Sequence, residues 1–250
     1  MSENTGKYFD VSNTWRSLLS WTVFGIVGFA AMTIFYFTNQ EGYIRFAFKA
    51  RLAENIQAFF YLASGIIFIY LGFRQPWREG KSHFLLLPFL LGFFYLVVCG
   101  EEISWGQDYL KYNTPSFLGS NLEGESNIHN MPFLDSKEAV ITQDRLLHGF
   151  VLLYGILIPL AYRFSSGIRG FLNRIHFPVA PLAALPLFVL GFVYRQAINM
   201  THPHYTHGEV KELFFTTGFM LAAISALLGR NLIASEPQAT PRKATADLQD

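Results

Sequence analysis

Residues 84–107, FLLLPFLLGFFYLVVCGEEISWGQ, join a membrane-length apolar run to two adjacent carboxylates, Glu101 and Glu102. A charged side chain in the hydrocarbon region costs about 2.5–3.5 kcal/mol on insertion scales, so two in succession need water, hydrogen-bond donors, protons or a cation to compensate them. The polar end of this segment is therefore the first candidate for a functional site.

The composition is that of a membrane protein. Of the 250 residues, 51% are hydrophobic and 15% are charged, and the apolar residues form blocks long enough to span a bilayer. The net charge of +1 and the scattered basic residues exclude a nucleic-acid-binding surface. Cys99 is the single cysteine, so helix packing rather than an internal disulfide must hold the fold.

The apolar blocks predict an all-α, polytopic fold in which a domain at 18–229 forms a six-helix transmembrane bundle. The six spans cover about residues 18–37, 56–73, 84–102, 148–163, 179–196 and 209–228. A polar tail at 1–17 precedes them, and a tail at 230–250 has the composition of a disordered segment. Between the third and fourth spans, the loop at 108–147 is rich in turn residues and long enough to cover a site.

The distribution of lysine and arginine predicts the orientation. Six spans place both termini on one side, together with the basic loops at 74–81 and 163–174, and the positive-inside rule puts that side in the cytoplasm. The long loop then lies on the outer face. The span ends that fall on this face carry Glu54, Glu101, Glu102, His148, Glu209 and Glu212. A common site at the outer face is therefore geometrically accessible.

The spacing at the end of the third span suggests different roles for its two carboxylates. Glu101, Ser104 and Gln107 are three residues apart, so a helix that continued to Gln107 would carry them as one polar stripe, with Glu102 about 100° away. We expect Glu102 to bind a cation and Glu101 to act as a general base, with Ser104 as a further catalytic candidate. The alternative is that the pair only anchors the fold, bridging to a cation such as Arg195.

Two histidines near the outer face are further candidates. His129 lies in the long loop between Asn127 and Asn130, which suits a metal ligand or general base but also a solvated loop histidine. His148 follows Asp144 by one helical turn, which either orients its imidazole or is an ordinary pairing at a helix start.

A second polar cluster opens the sixth span. It contains His202, His204, His207, Glu209 and Glu212. Imidazole and carboxylate ligands together suit zinc, manganese or iron, although the spacing matches no zinc motif of known mechanism. The alternative is an exposed polar loop followed by carboxylates at a helix N-terminus, where the helix dipole favours them by about 0.3–1 kcal/mol.

The paired motifs EEISWGQ at 101–107 and NIHN at 127–130 resemble those of an uncharacterised family of bacterial multi-span integral membrane proteins. The likeness extends to Glu54 and covers most of the membrane part of the chain. It implies a bacterial inner membrane and a site facing the periplasm, but no activity. A similarity to the zinc-dependent ceramidase-like membrane hydrolases is architectural only, because the serine and histidine spacing differs.

These observations favour a membrane-embedded, metal-dependent hydrolase or transferase acting on a lipid or lipid-linked substrate. The predicted ligands of a divalent metal, with zinc as the first choice, are Glu102, His129, Glu209 and Glu212, and the predicted catalytic residues are Glu101 and Ser104. The supporting residues are Glu54, Gln107, Asn127, Asn130, His148 and His207. The alternatives are a proton- or cation-coupled transporter and an accessory or scaffold subunit of a membrane complex.

Overall fold

The computed structural model describes residues 11–48, 52–74, 86–135, 141–202, 204 and 206–228. Every regular element within these ranges is a helix, so the predicted all-α class is confirmed. The first helix begins at Val11, inside the predicted N-terminal tail. The rest of that tail and the predicted disordered tail at 230–250 lie outside the described residues.

Six long helices form the body of the protein within the described residues. They are α1 (Val11–Thr38), α3 (Leu52–Arg74), α4 (Leu86–Glu102), α7 (Gln143–Phe164), α9 (Leu185–Thr201) and α10 (His207–Leu227). The shorter helices are α2 (Gln40–Ala47), α5 (Gln107–Leu110), α6 (Pro132–Asp135) and α8 (Ser166–Arg174). Each predicted span overlaps one of the long helices, although their ends differ by several residues.

In the part of the chain that the structure describes, five segments are long and apolar enough to cross a membrane. They are Arg16–Thr38, Gln40–Phe73, Gln143–Phe164, Leu182–Met200 and His207–Leu227, of which the second includes the undescribed residues 49–51. A sixth is obtained if Leu86–Glu102 and Ser104–Leu110, which meet at an angle of 65°, are counted as one span. The helices therefore suit a lipid bilayer.

Close helix packing sets the position of the helix ends. α4 lies along α3 at a point where a Cβ on Gly92 would come within 2.7 Å of the backbone nitrogen of Ile69, so glycine allows the two backbones to approach. α3 and α9 also pack against α10, the most buried of the candidate spans. As a result, the start of α3, the end of α4 and the start of α10 lie side by side.

The chain turns sharply after α4. Ser104, Trp105 and Gly106 all have positive φ angles, of 47°, 53° and 82°, so the helix ends at Glu102 instead of continuing to Gln107. The expected stripe of Glu101, Ser104 and Gln107 on one helix face is therefore wrong. Left-handed backbone costs non-glycine residues about 1–2 kcal/mol each, and local hydrogen bonds, including that from the Gly106 N–H to the Ile103 carbonyl at 2.8 Å, stabilise the turn.

Candidate functional site

Four glutamates from three helices meet at one end of the bundle. Glu54 lies in the first turn of α3, Glu102 ends α4, and Glu209 and Glu212 lie near the start of α10. The carboxylate of Glu102 interacts electrostatically with Glu212, Glu209 and Glu54, in decreasing order. We call these four residues the acidic cluster. Their proximity agrees with the shared outer face expected from the sequence.

Gln57 borders the acidic cluster from α3, one turn after Glu54. Its amide nitrogen Nε2 donates hydrogen bonds to the backbone carbonyl of Glu209 at 2.8 Å and to the Oε2 atom of Glu209 at 3.4 Å. Its Oε1 atom is buried and has no hydrogen-bond partner within the described chain. An unsatisfied buried acceptor costs about 1–3 kcal/mol, so a protonated carboxyl group, a water molecule or a cation would stabilise this position.

Lys211 is a buried cation next to the acidic cluster. Its side chain is 1% exposed, and its Nζ lies 3.1 Å from Oε1 of Glu212 and 2.9 Å from Oδ1 of Asp144. The same atom is 3.2 Å from Nε2 of His148, and Arg195 forms an ion pair with the second oxygen of Asp144. Lys211 thus joins α7 to α10 and compensates the charge of Glu212.

Glu102 is the least compensated member of the acidic cluster. Within the described residues its carboxylate makes no hydrogen bond or ion pair, and the charges that act on it are those of other glutamates. The side chain is half-buried and lines a cavity of about 510 Å³. Glu102 is therefore available to a ligand in that cavity.

The cavity has mostly apolar walls. The apolar lining residues are Phe94, Val97 and Val98 of α4, Leu146, Leu147 and Phe150 of α7, and Ile128 and Leu134 of the long loop. The polar lining residues are Tyr61, Glu101, Glu102, His129 and Gln143. Small-molecule sites typically measure about 300–1,000 Å³ and combine apolar walls with a few polar groups. The cavity has both properties.

Glu101 has a different environment from its neighbour Glu102. Its Oε1 atom accepts a hydrogen bond from the indole nitrogen of Trp105 at 2.8 Å. Its Oε2 atom accepts the backbone N–H groups of Ile128 at 2.6 Å and His129 at 3.1 Å. These three bonds fasten the long loop to the end of α4. They suit a positioning role, because both carboxylate oxygens already accept hydrogen bonds, and the role of general base stays a prediction.

His129 lies against Glu101 at the wall of the cavity. Its Nδ1 atom is 3.6 Å from Oε2 of Glu101, and its side chain is 17% exposed. A carboxylate beside one ring nitrogen fixes the orientation of an imidazole. The long loop therefore brings an oriented histidine to the cavity that Glu102 also lines.

The remaining polar residues of the two sequence motifs hold the loop together. The hydroxyl of Ser104 donates to Glu125 at 2.8 Å and accepts from the amide of Asn127 at 3.0 Å. Gln107 accepts a backbone N–H of the same loop at 2.6 Å, and Asn130 donates to Glu125 at 3.4 Å. The described residues that line the cavity do not include Ser104, Gln107, Asn127 or Asn130. Their contacts stabilise the loop that carries His129.

His204 and His207, at the start of α10, make hydrogen bonds to residues outside the acidic cluster. His207 places Nδ1 2.8 Å from the hydroxyl of Tyr43 and Nε2 2.9 Å from the backbone oxygen of His202. His204 places Nδ1 2.7 Å from the hydroxyl of Thr206. These contacts connect the start of α10 to α2. His207 therefore acts on helix packing and has no contact with the carboxylates within the described chain.

The predicted metal ligands are only partly brought together. Glu102, Glu209 and Glu212 share the acidic cluster, whereas the ring of His129 contacts Glu101. In the part of the chain that the structure describes, no group of three or more His, Cys, Asp or Glu side chains is arranged to hold a metal ion. The divalent metal, with zinc as the first choice, stays a prediction.

Sequence reasoning missed two residues of the site, Lys211 and Tyr61. The signal for Lys211 was its position between Glu209 and Glu212, since a lysine beside an apolar run needs a partner. Tyr61 lines the cavity and interacts electrostatically with Glu102, but one aromatic residue within an aromatic-rich span carries no signal of its own.

Comparison with known proteins finds no relative of this chain. No protein-family model matches it, and neither a curated protein nor a solved structure is detectably similar.

Proposed function

We propose that this protein is a membrane-embedded enzyme, a hydrolase or transferase that acts on a lipid or lipid-linked substrate. The observation that supports the proposal is the mostly apolar cavity with Glu102 and His129 at its polar end. An apolar chain suits the walls of this cavity. The carboxylate and the oriented imidazole supply the acid–base groups that hydrolysis or group transfer needs.

In this proposal the side chains have different roles. Glu102 or His129 takes the proton of an attacking water or hydroxyl group, and Glu101 positions His129 through the contacts described above. A divalent cation at Glu102, Glu209 and Glu212 would polarise a carbonyl or phosphoryl oxygen of the substrate. The uncompensated carboxylate charge and the unsatisfied Oε1 atom of Gln57 support this cation.

The membrane arrangement belongs to the same proposal. Six spans would place both termini in the cytoplasm of a bacterial inner membrane, with the cavity and the loop at 108–147 at the periplasmic face. The clustering of basic residues at 74–81 and 163–174 supports this orientation.

Full-length protein in lipid nanodiscs allows the enzyme and the cation to be tested separately. We expect Glu102→Gln to lower lipid turnover by at least about 100-fold, the usual contribution of a general acid or base. Glu41→Gln is the matched control, because Glu41 is exposed and paired with Arg45. Wild-type turnover in Glu102→Gln would exclude Glu102 as the acid–base group, and the absence of lipid turnover in wild type would contradict the enzyme proposal. If elemental analysis finds no metal in wild-type protein that turns over lipid, only the proposed cation is contradicted.

A proton- or cation-coupled transporter is the second candidate. The observation that favours it is the series of charged side chains from Glu102 through Glu212, Lys211 and Asp144 to Arg195, which joins four helices. In proteoliposomes, an ion or proton flux that Glu212→Gln abolishes and Glu41→Gln preserves would favour this candidate. An accessory or scaffold subunit would show neither flux nor turnover.

A further inference from the structure

The cavity is a cleft between two helices that pack on different neighbours. α4 packs along α3, whereas α7 packs against α9. Phe94 of α4 and Phe150 of α7 close the inner end of the cleft, with ring centroids 4.8 Å apart. Towards the outer face the helices are separated by the cavity, to which Val98 and Leu147 contribute from opposite sides.

The rim of the cleft is continuous with the lipid-facing surface of the helices. Phe94 is 40% exposed and Leu146 is 54% exposed, and both also line the cavity. On a membrane-spanning helix such exposed apolar side chains face lipid tails, so the cavity opens sideways towards the hydrocarbon region.

The long loop forms the roof of the cleft. Ile128, His129 and Leu134 reach into the cavity from above, and the hydrogen bonds to Glu101 fix the first two of them. The outer surface of the same loop exposes the large apolar side chains Tyr109, Leu110, Phe117 and Phe133. Such side chains suit the boundary between head groups and tails. The described part of the loop therefore covers the end of the cavity that Glu101 and Glu102 line.

The polar end of the cavity selects against negative charge. Its charged side chains are the carboxylates of Glu101 and Glu102, and no lysine or arginine lines it among the described residues. The nearby cations Lys211 and Arg195 are engaged by Asp144. Like charges brought together in a desolvated site repel each other, so a neutral or cationic head group is favoured over an anionic one.

From these features we infer that the cleft between α4 and α7 takes a membrane lipid from the side. Its hydrocarbon chain lies between Phe94 and Leu147, and in the metal-free protein an amine or hydroxyl head group lies at Glu102. The inference rests on the proposed lipid substrate and specifies its class and its route. The long loop keeps the head group away from bulk water.

Photolabelling of full-length protein in phosphatidylcholine nanodiscs tests this inference without turnover. Three probes carry the same hexadecyl diazirine chain and end in an amine, a hydroxyl or a phosphate, and labelled residues are mapped by mass spectrometry with chelator present. We expect the amine and hydroxyl probes to label the α4 and α7 residues of the cleft at least about tenfold more than the phosphate probe, given the cost of like charges.

Two tryptophan variants separate the cleft from general contact with lipid. Leu147→Trp fills the cavity, so it should remove cleft labelling, whereas Leu153→Trp on the exposed side of α7 should leave it unchanged. The inference would be overturned if all lipid-facing helices were labelled equally and Leu147→Trp did not alter this labelling. A preference for the phosphate probe would also overturn it. If Glu102→Gln still shows cleft labelling and wild type shows no lipid turnover, the enzyme proposal is contradicted and the lipid site is supported.

Discussion

Glu101 and Glu102 are adjacent in sequence but have opposite environments. Glu101 accepts three hydrogen bonds from the indole of Trp105 and from two backbone N–H groups of the long loop. Glu102 has none within the described residues and faces other carboxylates. One carboxylate therefore holds the loop and the other is available to a ligand, and the two should respond differently to substitution.

We expect Glu101→Ala to loosen the loop without unfolding the helices. Hydrogen bonds to a charged acceptor contribute about 1.5–3 kcal/mol each, so the Ile128 and His129 amides should lose protection. Hydrogen–deuterium exchange of peptides from the loop measures this change. Asp108→Ala removes an exposed carboxylate nearby and serves as the control. Equal exchange in the two variants would contradict the anchoring role.

Glu102→Gln should raise stability in metal-free buffer. The substitution removes one negative charge from the acidic cluster and keeps the side-chain shape, so the unfolding free energy should rise by about 1 kcal/mol, the interaction expected between nearby charges at a high effective dielectric constant. Thermal unfolding in detergent with a chelator gives the comparison with wild type. A clear loss of stability would mean that Glu102 has a favourable partner, and the repulsion argument would fail.

At the scale of helices, Lys211 connects α10 to α7. Removing one partner of a buried ion pair typically costs about 3–5 kcal/mol, and Lys211→Met leaves Glu212 without its cation, whereas Asp144 keeps Arg195. We expect the double variant Lys211→Met, Glu212→Gln to recover part of the loss, because it also removes the stranded buried charge. Asp144 is 43% exposed, so water compensates it in part. Equal stability of the two variants would rule out the coupling.

The packing of α3 against α4 depends on glycine. A Cβ at position 92 would lie 2.7 Å from the nitrogen of Ile69 and 2.8 Å from the carbonyl oxygen of Gly65. Gly92→Ala should therefore cost about 1–3 kcal/mol through overpacking. Gly149→Ala is the control within α7, since a Cβ there meets nothing within 4 Å. We expect a lower melting temperature in Gly92→Ala alone. Equal melting temperatures in the two variants would contradict close packing at Gly92.

The helices could be predicted from the sequence more completely than the contacts between them. Apolar runs of membrane length indicate helices directly, and placing the helix ends on one face brings Glu102, Glu209 and Glu212 together. The left-handed turn at Ser104 and Trp105 could not be predicted, because neither residue type signals positive φ. The partners of Lys211 could not be predicted from the sequence either, since an ion pair between helices leaves no local sequence pattern.

For the whole molecule, the orientation of the bundle is the remaining prediction. α7 lies between the long loop and α8, so a single crossing should place Asn113 and Gly170 on opposite sides of the membrane. We expect Asn113→Cys to react with a membrane-impermeant maleimide in intact cells, and Gly170→Cys to react only after permeabilisation, because the basic loop at 163–174 favours the cytoplasm. Both positions are exposed, and Cys99→Ala supplies a cysteine-free background. Labelling of both from outside would mean that α7 does not cross, and the reverse pattern would move the cavity to the cytoplasmic face.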